Sequence, residues 1–192
     1  FTLILSSSFI ILLATICIRD LGAAGSSTFM TTYFVKVRGY SEATASLIFS
    51  LGPFIGIVGS FGGSYLGEKM GAKKALGWGI FLSAISLLMF SLTSQLYLTI
   101  LAYLLHSFFG NAILSPINTI VANVTPKKER GMCYSVYFLA EGLVSSIAPA
   151  VAAGVIELTF IGFIFPFSVI FQIASVIVLI FLPLSKKQQN SL

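Results

Sequence analysis

Residues 64–76 read SYLGEKMGAKKAL. One acid and three lysines, Glu68, Lys69, Lys73 and Lys74, fall within seven positions here. The chain as a whole has 192 residues, only 9% of them charged and 57% hydrophobic. On either side the sequence turns apolar for about the 20 residues a helix needs to cross a bilayer. Gly67 and Gly71 punctuate the charges, which predicts a tight turn with close backbone approach. Glu68 is expected near the start of the following helix, where a carboxylate meets free N–H groups and the positive dipole end. The stretch therefore reads as a short polar loop between two membrane spans. A soluble domain carries roughly 25% charged residues. This composition excludes one, and lipid becomes the reference solvent for most side chains.

Working outward, charged and turn residues punctuate six apolar segments, at 8–35, 43–66, 75–92, 96–124, 132–155 and 160–184. The short connections predict an all-α, polytopic membrane helix bundle, one domain over 1–192 with a tail at 185–192. The loops alternate in charge. Lys69, Lys73, Lys74, Lys127, Lys128, Arg130, Lys186 and Lys187 fall on one side; Lys36 and Arg38 fall on the other. The positive-inside rule puts the richer side in the cytoplasm, with both termini there, in a multi-pass protein of the cell membrane. The net charge of +5 thus reports orientation, and no nucleic-acid partner is expected. Cys17 and Cys133 lie in or beside apolar segments and read as small hydrophobes, not as a disulfide. The NVT at 123–125 precedes Pro126 at the end of a span and reads as a helix end, not a glycan acceptor. Trp78 reads as an anchor at the interface. The chain does not begin with Met and is expected to be part of a longer one.

The six spans differ in kind, and the differences recur after three. Spans one and four are polar. The first carries Arg19, Asp20, Ser26, Ser27, Thr28, Thr31 and Thr32. The fourth carries His106, Ser107, Asn111, Ser115, Asn118, Thr119 and Asn123, with Pro116 among them. Spans two and five carry small residues at four-residue spacing: Gly52 and Gly56, then Gly59, Gly63 and Gly67; and Gly142, Ser146, Ala150 and Gly154. In lipid such rails let helices approach closely, because packing rather than the hydrophobic effect drives association. Spans three and six are mostly large and apolar and read as lipid-facing. Three is odd, so the second copy, about 95–184, inserts upside down relative to the first, about 1–92. Inverted three-span repeats around polar mid-depth helices are an architecture of secondary transporters.

The loop at 64–76 resembles the signature loop of the major facilitator superfamily, found between the second and third helices of a six-helix half. Glu68 stands at the acid position, Lys69 at the first base, Gly71 at the second glycine, and Lys73 with Lys74 at the basic pair. Ser64 occupies the first glycine position, beside Gly63, and Glu replaces Asp. Arg130 and Gly131 resemble the turn that precedes the family's fifth helix. His106 and Gly110 share the spacing of a family Arg-to-Gly pattern, without its arginine. These looser matches resemble the C-terminal half of such a transporter. The resemblance implies a cytoplasmic gate built from Gly67, Glu68, Lys69, Gly71, Lys73 and Lys74. It also implies an N-terminal six-helix half, or a dimer partner, about 200 residues upstream in the first case.

Charges inside the spans point to a site. Arg19 lies about 16 Å into span one and Glu141 about 14 Å into span five, so they share a depth. A charge there costs about 2.5–3.5 kcal/mol on insertion scales and should face protein or water. Arg19 and Asp20 are adjacent, and adjacent helix positions diverge, so each is expected to reach another group. Gly22 and Gly25 with Ser26 and Ser27 are expected to weaken span one beyond the charges, as in broken transporter helices. Candidate cavity residues are Arg19, Asp20, His106, Asn111, Asn118 and Glu141, with Arg19 for an anionic group and Asp20 or Glu141 for a coupled proton. His106 titrates near neutral pH and is a second proton carrier. The competing role for each is helix-to-helix locking, which the family's packing favours for Glu141. No nucleophile–base set, phosphate loop or metal-ligand cluster is visible, so neither an enzyme nor a cofactor is expected.

The expected function is small-solute transport by alternating access, coupled to an ion or proton gradient. Its alternatives are a channel and a non-transporting receptor or scaffold. Topology is directly testable. Single cysteines at 37 and 95 should react with an impermeant maleimide added to intact cells, and single cysteines at 70 and 127 only after permeabilisation.

Overall fold

The computed structural model describes residues 6–183. Seven α-helices make six spans: α1 (Ser7–Lys36), α2 (Glu42–Met70), α3 (Ala72–Leu92), α4 (Leu96–Ala112), α5 (Leu114–Val124), α6 (Arg130–Leu158) and α7 (Ile164–Ile180), the last entered through a short 3₁₀ turn, Ile161–Phe163. α4 and α5 together form the fourth span. All six are long and apolar enough to cross a membrane. α1 is one continuous helix of 30 residues, about 45 Å long. It starts on Ser6, whose side chain accepts the Phe9 N–H. Ser41 caps α2 in the same way through Thr44, with Glu42 in the first turn.

The loop at 64–76 shrinks to one residue. α2 continues through Glu68 and Lys69 to Met70, and α3 begins at Ala72. Gly71 alone makes the turn, at φ +87°, a conformation that L side chains rarely adopt. Gly67 is helical and buried beside Pro116, not part of the turn. Glu68 lies in the last turn of α2 rather than the first of α3, and no side chain caps α3. The expected meeting with the next helix's N–H groups is therefore replaced by an exposed carboxylate. Leu184 and the tail with Lys186 and Lys187 fall outside the described residues.

Two apolar cores sit at opposite ends of the bundle. One gathers Phe9, Leu12, Ile16, Leu76, Ile80, Ile117 and Leu179; the other gathers Met30, Phe34, Leu87, Phe90, Tyr103 and Phe165. Between them each of the spans one, three, four and six carries polar residues at mid-length: Asp20 and Ser26, Ser83 and Ser86, His106 and Asn111, Ser168 and Gln172. α1 packs against α6 and α7, and the fourth span packs against α2 and α3. The pattern maps onto itself when spans one, two and three exchange with four, five and six. Each second helix of a repeat also contains a proline within its length, Pro53 in α2 and Pro149 in α6.

The glycine rail of α2 works as expected. A Cβ on Gly59 or Gly63 would overlap the backbone oxygens of Phe108 and Ala112. Pro116 has no N–H to give the Ala112 carbonyl four residues back, and the span breaks at Ile113. The rail of span five does not pack within this chain: Gly142, Ser146 and Ala150 are exposed. Ala148 and Ala152 pack instead, against Gly25 of α1. Gly22 holds α7 close, where Ser168 Oγ donates to its carbonyl at 2.8 Å. These two glycines therefore serve contact and do not break span one; the broken span is the fourth.

Spans three and six keep large apolar residues exposed, among them Trp78, Met89, Ile177 and Ile180, but α3 is also packed within the bundle. Half of the α3 window is buried, against 11% for α6. Small residues on α3, among them Gly79, Ser83 and Ala84, turn inward. Lipid tails are as apolar as leucine, so hydrophobicity does not distinguish a lipid face from a protein face. Cations close the helix C-termini: Lys73 Nζ donates to Ile180 O and Leu182 O beyond α7, Arg38 to Phe90 O of α3, and Arg130 to Ala122 O of α5.

Gly63→Val should lower the melting temperature in detergent, at a cost of about 1–3 kcal/mol or more, since rigid backbone fills the space. Gly77→Ala, which would meet only Leu179 Cδ2 at 3.5 Å, should leave it unchanged or raise it.

Candidate substrate cavity

The mid-depth polar residues open onto a cavity of about 430 Å³. Spans one, two, four and five supply its walls and spans three and six none. Arg19, Asp20 and Ser27 come from α1, Gly52 and Pro53 from α2, Tyr103, His106, Ser107 and Asn111 from α4, Leu114 from α5, and Glu141 and Ser145 from α6.

Arg19 and Asp20 pair with each other, Nη1 to Oδ1 at 2.5 Å. This corrects the expectation that they diverge. The arginine stem is long enough to fold its guanidinium back along the helix, and a medium of low dielectric rewards the contact. Arg19 Nη2 also donates to the Gly110 carbonyl of α4 at 3.3 Å. Asp20 is 4% exposed and its second oxygen, Oδ2, is buried without a hydrogen-bond partner. Arg19 is less enclosed, its side chain 18% exposed. Glu141 lies within electrostatic range of both, with Tyr137 one turn before it on α6.

His106 is tied to α3. Its Nδ1 lies 2.9 Å from Ser83 Oγ and 3.0 Å from Ser83 O. A bare nitrogen there accepts from the hydroxyl, and a protonated one donates to the carbonyl. Asn111 donates to Ser107 O at 2.8 Å and lies over Gly56. Tyr103 donates to Phe49 O at 2.8 Å, across the α2–α4 contact. Asn118 is not in this cavity. It lines a second groove with Ser60, Ser64, Ser115 and Thr119, and Leu114 borders both spaces. Asn118 was placed by composition alone, and the break at Ile113 separates it from the residues above.

The residues of the expected gate lie at the basic end of the bundle. Lys73 holds the chain after α7, Lys69 lies 4.5 Å from the ring centre of Tyr65, and Glu68 and Lys74 make no hydrogen bond or ion pair among the described residues. Ser83, Tyr103 and Gln172 were missed. Gln172 is 1% exposed with both amide atoms unpartnered. A polar residue mid-way along an apolar span is itself a signal, and it was masked by the hydrophobicity around it. Among the described residues no group of His, Cys, Asp and Glu could hold a metal.

Six spans packed around a charged mid-depth cavity define a polytopic helical membrane protein. The chain belongs to the Major Facilitator Superfamily, whose sequence model matches residues 4–191. Solved structures agree in fold. A peptide transporter, POT, in complex with sulfate superposes with a TM-score of 0.82 at 14% identity, over 96% of this chain and 38% of that one. A mutant of POT in complex with alafosfalin gives 0.81 at 14%, over 95% and 39%. The chain thus spans well under half the length of these structures. No curated protein sequence matches it.

The pair at Arg19 is testable by stability. Arg19→Met alone leaves Asp20 buried and unpaired and should cost about 3–5 kcal/mol. The double variant Arg19→Met/Asp20→Asn should recover most of the melting temperature in detergent.

Proposed function

We propose that the chain is the C-terminal half of a secondary transporter that carries a small anionic solute by alternating access. The observation that carries this reading is Arg19. It is a permanent cation at mid-depth, partly open to a cavity, with carboxylates on two spans around it. A charge so costly to insert is a functional-site candidate by default. An incoming carboxylate or phosphate would compete with Asp20 for the guanidinium. Release of Asp20 leaves a second buried carboxylate near Glu141, and one of the two then binds a proton. Solute and proton would thereby occupy one site together. Among the described residues His106 is engaged with Ser83 and is better suited to holding α4 on α3 than to carrying the proton.

The cavity is open on the side where α2 and α6 leave faces uncovered. Phe54 and Phe61 on α2, and Phe138, Leu139 and Leu143 on α6, are exposed there, with the small-residue rail of α6 between them. A second six-helix half would complete the walls, and rocking of the halves would open the cavity to either side. Glu68, exposed in the last turn of α2, remains free at the basic end to lock the halves in one state. We place that end in the cytoplasm of the cell membrane. A channel would need a continuous polar path, whereas the break at Ile113 sets Leu114 between the two polar spaces.

Thermal-shift screening of the full-length protein should find stabilising solutes among carboxylates and phosphates and not among neutral analogues. A solute at 100 times its dissociation constant adds about 2.7 kcal/mol. The shift and vesicle uptake should both vanish in Arg19→Met/Asp20→Asn. Glu141→Gln should keep solute exchange but lose gradient-driven accumulation. Uptake that survives the double variant would sink the site assignment.

A further inference from the structure

On the flank away from the cavity, at the basic end, α3 and α7 leave a groove of about 530 Å³. Its walls are apolar: Trp78 and Phe81 from α3, Val176 and Ile180 from α7. Lys73 and Lys74 form its rim. The groove opens outward, with Trp78 53% and Ile180 67% exposed. Trp78 is the only tryptophan in the chain and stands edge-on to Phe81.

Three features mark the groove as built for an occupant. Gly77 lies in its wall, and a Cβ there would meet only Leu179 Cδ2, at an ordinary 3.5 Å. Packing within the chain does not demand a glycine, but a side chain would fill the groove. The rim is positive and its charges differ in use. Lys73 is spent on the carbonyls of Ile180 and Leu182, whereas Lys74 has no hydrogen bond among the described residues. The nearest acid in sequence, Glu68, is on α2 and does not line the groove. Lastly, apolar walls that open towards hydrocarbon below a cationic rim match an amphiphile with a negative head. A soluble anion would leave the walls empty, and a zwitterionic lipid would bring its own cation to a rim that already holds two lysines.

We propose that this groove binds an anionic glycerophospholipid of the leaflet at the basic end. One acyl chain lies along Gly77 between Trp78 and Ile180, and the headgroup phosphate meets Lys74, with Lys73 as a second, fixed positive charge. Basic pockets between spans recognise lipid headgroups by this combination of field and shape. The lipid bridges α3 and α7, the pair that Lys73 already ties. The inference rests on the membrane-spanning fold and not on the transport reading.

Full-length protein in phosphatidylcholine vesicles can be doped with brominated phosphatidylglycerol or, at equal fraction, brominated phosphatidylcholine. The readout is quenching of the fluorescence that Trp78→Phe removes. The glycerol lipid should quench at about fivefold lower mole fraction, the worth of one lysine near an anionic headgroup. Lys74→Gln and Gly77→Leu should each bring the two lipids to equality while keeping the wild-type melting temperature in detergent. Equal quenching of the wild type would overturn the proposal, as would a preference that survives Lys74→Gln. Erasure of the preference by inorganic phosphate at matched ionic strength would reassign the rim to free anions and overturn it too.

Discussion

The contact on which the arrangement turns is the Arg19 guanidinium, held between Asp20 of its own helix and the Gly110 carbonyl of α4. It joins the first and fourth spans, the leading helices of the two repeats, at mid-length. In a bilayer a polar group has no water to fall back on. Most polar residues at this depth accordingly find protein or the cavity, the buried Gln172 amide being an exception. The layer that results separates two apolar cores. Ser83 takes His106, Ser168 takes the Gly22 carbonyl, and Tyr103 takes the Phe49 carbonyl. Each of these bonds crosses from one span to another, so the layer sets helix register as well as housing the cavity.

Close backbone approach makes that layer possible. Gly59 and Gly63 admit the Phe108 and Ala112 carbonyls, and Gly25 admits Ala148 and Ala152. Pro116 adds to this by freeing the Ala112 carbonyl from its helix partner. The outcome is asymmetric between repeats. The α2 rail is filled by α4, while most of the corresponding rail on α6 is left bare beside the cavity mouth. An uncovered face of small and large apolar residues is what the proposed second half would pack against.

Much of this was legible in residue order. The six spans were readable because lipid demands about 20 apolar residues per crossing, and the polar character of spans one and four marked the cavity walls. Of the cavity residues, Arg19, Asp20, His106, Asn111 and Glu141 were visible as polar groups within apolar runs, and the structure brings these five together. Asn118 carries the same signal, yet the break at Ile113 puts it in a different groove. The burial of α3 was not legible, because a leucine against lipid and a leucine against protein are equivalent in composition. The pairing of Arg19 with Asp20 was misjudged because helix geometry describes Cβ directions, whereas a long side chain reaches around them.

Hydrophobic run length, loop charge and small-residue spacing are local properties. They determined that the chain crosses a membrane six times, in two three-span units, with its basic loops on one side. Which rail packs, which span breaks, where the turn at Gly71 falls, and which carboxylate meets Arg19 depend on distances between segments far apart in sequence. Those were decided only when the helices packed. In lipid the packing energy comes from shape and from satisfied polar groups, and neither is written in any one segment alone.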